Sequence, residues 1–190
     1  MYDKTIGYAL CGSFCTYTKA MAALKRLTEI YRRVIPIFSQ ASWETDSRFG
    51  TAEEHIRRAE ELCGVPALHT IAEVEPIGPK KLLDALVIAP CTGNTLAKLA
   101  HGIADGPVTM AAKSHLRNGR PLLLAVSTND GLAAAAENIG RLLARKHIYF
   151  VPFGQDDPIR KPTSLVANFD LLPDALDAAL SGLQLQPVLV

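Results

Sequence analysis

Short unbroken apolar runs alternate along this chain with segments of helical periodicity, and that alternation limits its fold more than any other feature. Residues 5–10, 34–38, 82–89, 121–126 and 148–151 are apolar runs of strand length. Strands that stay apolar on successive residues belong in a sheet covered on both faces. Between the first two runs, Ala20, Met21, Leu24, Leu27 and Ile30 recur at helical spacing within 17–31. Further helices are predicted over 51–62, 95–102, 108–117, 131–146 and 171–180. Thr51 with Glu54 three residues on is a capping-box pattern, and Gly64 stops that helix. Residues 155–162 are charged, carry two prolines and are expected to form a loop. Strands separated by helices pair in parallel, because parallel neighbours need a crossover. The expected fold class is therefore α/β: a three-layer, doubly wound, mostly parallel sheet in a single domain over residues 1–190.

Composition narrows the function classes. A chain of 190 residues with 48% hydrophobic and 21% charged residues can bury a full core without disulfides or metals. Its formal net charge of +1 offers no global field to nucleic acid or to an anionic membrane. The basic cluster Lys25-Arg26 and Arg32-Arg33 reads as the solvated end of a helix. Cys11, Cys15, Cys63 and Cys91 form no C-x-x-C pair and have no His/Cys partners for a zinc site, so no metal is expected. With no secretory h-region and no apolar run of membrane length, a reduced intracellular setting is expected.

In doubly wound sheets, ligands sit outside the carboxyl ends of the strands. That rule selects four loops, 11–16, 39–43, 90–95 and 126–131, all rich in small hydroxyl and amide residues. Gly12-Ser13-Phe14-Cys15-Thr16 can present backbone N–H groups at a helix start, a pattern suited to phosphate as well as to simple capping. It is neither the G-x-G-x-x-G fingerprint nor a Walker loop. The loop 39–43 has no acidic residue until Glu44, which argues against a dinucleotide ribose and is compatible with a mononucleotide.

The third loop is the most specific. Pro90-Cys91-Thr92-Gly93-Asn94-Thr95 leads into a helix and then Gly102-Ile103-Ala104-Asp105. This resembles the homo-oligomeric flavin-containing Cys decarboxylase superfamily, with Thr92 and Gly93 in place of its Ser and Ala. The resemblance implies a flavoprotein-like fold and FMN at the strand ends. Gly12, Ser13, Phe14 and Ser39 are then expected near the phosphate, and Thr92, Gly93, Asn94 and Thr95 near the ring or ribityl chain. It also implies a homo-oligomer.

Two departures separate the chain from the decarboxylases. Their histidine before the third strand would fall near Pro76, where there is none; His69 lies seven residues earlier and reads as an exposed helix-end or loop residue. Their Pro-x-Met-Asn motif is replaced by Val126-Ser127-Thr128-Asn129-Asp130. That stretch is similar to the family of dipicolinate synthase B subunits, as are Gly154-Gln155-Asp156-Asp157-Pro158 and Lys161-Pro162-Thr163-Ser164-Leu165-Val166-Ala167. This second resemblance implies a cytoplasmic oxidoreductase subunit in a sporulating bacterium. It would take part in oxidising a dihydrodipicolinate-type precursor to dipicolinate. Its partner would be the dipicolinate synthase A subunit, which is expected to hold NAD(P). Ser127, Thr128, Asn129 and Lys161 are then expected at the carboxylates of the substrate, and Cys91 is expected to be a buried packing residue. No catalytic acid or base emerges. A flavin-dependent cysteine decarboxylase and a scaffold subunit without FMN remain open.

Overall fold

The computed structural model describes residues 1–190. The chain begins with β1 (Tyr2–Leu10), which becomes fully buried from Ile6 onward. A single 3-10 turn, Phe14–Thr16, leads into α1 (Tyr17–Ile30), whose Ala20, Met21, Leu24 and Leu27 form the buried stripe. The chain then passes directly into β2 (Tyr31–Phe38). Arg32 and Arg33 are therefore exposed residues of an outer strand, not the end of the preceding helix; Arg32 pairs with Asp3 across the ladder.

Two helices follow, α2 (Gln40–Glu44) and α3 (Ala52–Cys63). The Thr51–Glu54 capping box is formed, and Gly64 ends α3 in the left-handed region at φ 66°. The short helix α4 (Ile71–Val74) and the 3-10 turn Glu75–Ile77 lead to β3 (Ala85–Cys91), in which every residue is buried. Residues 82–84 stay outside the strand because Lys81 adopts φ 49°, and Asp84 is fastened to Thr5 by reciprocal 2.8 Å hydrogen bonds. The ladder starts only at Ala85, opposite Ile6.

The next elements are α5 (Gly93–His101), α6 (Pro107–Leu116), β4 (Leu122–Thr128) and α7 (Ala136–Leu143). The helix predicted over 131–146 is shorter than its periodicity. Gly131 is buried so tightly under Leu165 that a Cβ would lie 2.6 Å from its side chain, and Leu132 donates its N–H to Thr163. The returning loop thus holds 129–135 in turns. Three short strands, β5 (Ile148–Phe150), β6 (Phe153–Gly154) and β7 (Leu165–Ala167), precede the final helix α8 (Leu172–Leu180).

Strands β2, β1, β3, β4 and β5 pair in that order, all in parallel. Beyond its contact with β5, β4 extends to Ser127 and Thr128, which pair antiparallel with Val166 and Leu165 of β7; β6 adds to the far side of β7. Helices α1 and α8 pack together on one face, while α4, α5, α6 and α7 interlock on the other. One contiguous cluster of 49 buried residues fills the space between these layers. The chain direction across the sheet reverses between β1 and β3, and this opens a crevice at their carboxyl ends.

This packing makes two positions sensitive. A Cβ on Gly7 would lie 2.6 and 2.8 Å from the Leu83 and Leu86 methyls, so Gly7→Ala should destabilise the fold by about 1–3 kcal/mol in denaturant titrations. Burial pushes the His115 imidazole down to about 4, with its Nε2 against the Pro121 carbonyl. The unfolded chain therefore binds the extra proton first. Stability should fall as pH drops from the ordinary histidine value of 6.5 towards 4. His115→Gln should remove that part of the pH dependence of Tm.

Candidate functional site

Each of the four strand-end loops is shaped by a local hydrogen-bond pattern. Ser39 caps α2 by accepting from the Ser42 N–H at 3.2 Å, and its hydroxyl lies 2.8 Å from that of Ser42. Ser42 in turn donates to the Leu10 carbonyl at 3.0 Å, so the end of β2 is tied to the end of β1. Thr92 caps α5 in the same way, accepting from the Thr95 N–H. The Thr95 hydroxyl is 3.1 Å from that of Thr92 and donates to Cys11 Sγ at 3.3 Å, which ties β3 to β1. Burial raises the Cys11 thiol to about 11, and burial likewise raises the Cys91 thiol well above its ordinary value. Both are packing residues at neutral pH.

Ser13 behaves differently. It stands at the helix start yet its side chain makes no capping bond. Its hydroxyl instead meets Ser127 Oγ at 2.7 Å, and Thr16 Oγ1 reaches the same Ser127 at 3.3 Å. The loops after β1 and β4 are thereby joined. Gly93 sits against the loop after β4 as well: a Cβ there would lie 2.7 Å from Thr128 Oγ1 and 2.9 Å from Asp130 Oδ1.

The crevice divides into two basins that share Gly12 and Thr92 as a sill. The larger has a volume of about 540 Å³ and is lined by Ser39, Gln40, Asn94 and Thr95, with Lys98, Asp105 and Thr109 on its far wall. Its size falls in the roughly 300–1,000 Å³ range of small-molecule sites. The Asn94 amide is exposed there. Lys98 holds both Asp105 carboxylate oxygens at 2.9 Å and keeps that carboxyl below its ordinary range. The Ile103 N–H closes onto the Lys98 carbonyl, and Gly102 turns the chain at φ 73°. The Gly-Ile-Ala-Asp run therefore has a structural task, which is to fold the chain back onto α5 as a wall of this basin.

The smaller basin, about 360 Å³, is lined by Ser13, Thr16, Lys19, Ser127, Thr128 and Asn129 together with Asp156, Lys161 and Ser164. Lys161 Nζ lies 3.2 Å from Asp156 Oδ2. The expected residues are thus redistributed. Gly12, Ser39, Thr92, Asn94 and Thr95 meet in the larger basin, whereas Ser13 joins Ser127, Thr128, Asn129 and Lys161 in the smaller one. Phe14 and Gly93 line neither; Phe14 packs its ring 5.2 Å from that of Tyr17.

His69 is the loop residue that sequence spacing suggests, but it is half-buried and not fully exposed. Leu68 pairs with Ile37 beside β2, which places His69 at the carboxyl end of the sheet. Its ring stacks flat on Trp43 at 3.6 Å and 3°, and its Nδ1 is 3.5 Å from Glu73. From His69 the chain reaches β3 through α4 and the turn Glu75–Ile77. The apolar pair Ala67-Leu68 just before His69 is the sequence signal for this edge position. Gln40, Lys19, Asp156 and Ser164 are lining residues that sequence reasoning does not single out. Gln40 falls within the selected loop 39–43, and Asp156 and Ser164 fall within the two motifs shared with the B-subunit family, whereas Lys19 carries no such signal.

The fold is shared with known proteins. The Flavoprotein family model matches residues 1–166. The chain is 46% identical over 187 residues to the dipicolinate synthase B subunit of Bacillus subtilis (strain 168), covering 98% of this chain and 94% of that one. It superposes on the crystal structure of the dipicolinate synthase B subunit from Bacillus halodurans C with a TM-score of 0.90 and 45% identity, covering 98% and 96% of the two chains. A dodecameric FMN-dependent Ubix-like decarboxylase from Escherichia coli O157:H7 shares the fold at a TM-score of 0.63 and 23% identity, over 78% of this chain and 79% of that one. With its parallel sheet, its crevice at the β1/β3 reversal and this similarity along nearly its whole length, the chain belongs to the Flavoprotein family, in the branch of the dipicolinate synthase B subunits.

Proposed function

We propose that this chain acts as a cytoplasmic B-type subunit of a dipicolinate synthase, with FMN in the larger basin and a dicarboxylate in the smaller. The observation that carries this reading is the sill: Gly12 and Thr92 line both basins, so a flavin and a substrate held in them would be neighbours. The donor set fits FMN. Gly12 and Ser39 stand where a phosphate end would rest, and the free Asn94 amide and the Thr92–Thr95 turn face the space for the ring. When bound, FMN supplies a two-electron acceptor, the redox class that aromatisation of a dihydropyridine precursor requires.

The chain's own residues supply binding and orientation. Hydroxyl, amide and ammonium groups bond carboxylates well, and Ser127, Thr128, Asn129 and Lys161 provide all three beside Ser13. Cys91 and Cys11, buried and protonated, take no part in proton transfer. The A-type partner would bring NAD(P). The chain acts as one domain over 1–190, and we take it to assemble as a homo-oligomer, as the dodecameric relative does.

Flavin titration tests the cofactor assignment. Gly12 has ordinary φ, and a Cβ there makes only contacts of 3.6 Å or more, so substitutions at this position should leave the fold intact. Gly12→Ala should retain FMN uptake, while Gly12→Asp should abolish it by setting a carboxylate against the phosphate. Equal affinities would refute the phosphate placement, and a wild-type protein that quenches no FMN fluorescence would refute flavin binding. Reconstitution tests the role: the A-type partner should form dipicolinate faster with this chain than without it. Acceleration by a flavin-free chain would mark a scaffold.

A further inference from the structure

We propose that Asp156 is a built-in anion of the smaller basin: it holds Lys161 until an oxygen of an incoming carboxylate or phosphate takes its place. This rests on reading the smaller basin as a site for anionic ligands, and it adds a competitor within that site.

Three charged side chains line the basin: Lys19 from α1, and Asp156 and Lys161 from the loop between β6 and β7. Lys19 forms no ion pair, whereas Lys161 is paired with Asp156 at 3.2 Å. The hydroxyls of Ser13, Thr16, Ser127 and Ser164 supply neutral donors around them. Ser164 is buried at 2% exposure and, ahead of Lys161, holds the Asp156 carboxyl below its ordinary range. Asp156 is therefore a carboxylate at neutral pH. It meets a cation and a hydroxyl, the two kinds of group that a ligand carboxylate would seek.

The geometry makes exchange cheap. The Lys161 and Asp156 side chains are 53% and 32% exposed, and solvent-screened pairs of that kind contribute little to stability. Asp156 also lines the neighbouring groove between α1 and the β6–β7 edge, beside Lys19 and Arg26. A displaced carboxylate can turn towards that groove and remain solvated. Lys161 and Lys19 would then both face the ligand, giving two cations for a dianion. With Asp156 in place, the basin accepts a dianion less readily, and the pair excludes neutral ligands that cannot replace it.

Isothermal titration with two probes tests the exchange: pyridine-2,6-dicarboxylate and inorganic phosphate, each against wild type, Asp156→Asn, Lys161→Gln and the double variant. Asparagine has nearly the shape of aspartate but carries no charge, so it releases Lys161. Asp156→Asn should bind the anion about fivefold more tightly than wild type, as expected for removing a competitor of this strength. The gain should vanish in the Lys161→Gln background, because the effect runs through Lys161.

A gain for the dicarboxylate alone assigns the basin to substrate, and a gain for phosphate alone assigns it to a phosphate group; both support the exchange. Weaker binding by Asp156→Asn would show that Asp156 positions Lys161 instead, and would overturn the proposal. So would an undiminished gain in the Lys161→Gln background, or no binding of either probe by any variant. FMN uptake is a separate measurement, so a protein that takes no flavin can still pass or fail here.

Discussion

Parallel pairing of β2, β1, β3 and β4 is the constraint on which everything else in this molecule depends. A parallel ladder sends all its carboxyl ends to one side, so the loops after four strands arrive at the same edge whatever their sequence separation. Ser13 and Ser127 are 114 positions apart, yet their hydroxyls meet at 2.7 Å because β1 and β4 both run towards that edge on either side of β3. The seven buried residues of β3 supply the apolar centre that holds this register. Small polar residues on the edge then settle their hydrogen bonds with one another, leaving the crevice lined by hydroxyls and amides.

How far the fold is legible in the sequence differs by element. The buried strands can be read because their apolar runs are unbroken, and α3 because Thr51, Glu54 and Gly64 mark its ends. The boundaries that differ are set by contacts distant in sequence. Gly131 beneath Leu165 shortens α7, the Asp84–Thr5 pair delays β3, and β7 forms against Ser127 and Thr128 with β6 added to its far side. No local pattern records such contacts.

The site follows the same rule. Topology alone selects the loops that would meet, and they do meet. Which side chain faces which basin depends on hydrogen bonds that a sequence does not display. Ser13 is legible as a helix-start serine, but its hydroxyl goes to Ser127 instead of capping the helix. Asn94 and Asp105 stand within one motif, yet Asn94 is left free while Asp105 is taken by Lys98. The place of His69 depends on the pairing of Leu68 with Ile37 beside β2, a contact distant in sequence.

The strand β4 is divided between two kinds of sheet. Its first half belongs to the parallel sheet, and its last two residues belong to the antiparallel ribbon with β7. The loop bearing Asp156 and Lys161 is rooted in the β6–β7 ribbon, and β7 pairs directly with the strand that presents Ser127. A substitution at Asp156 or Lys161 therefore changes the groups that face the smaller basin while leaving the parallel sheet and the lining of the larger basin untouched.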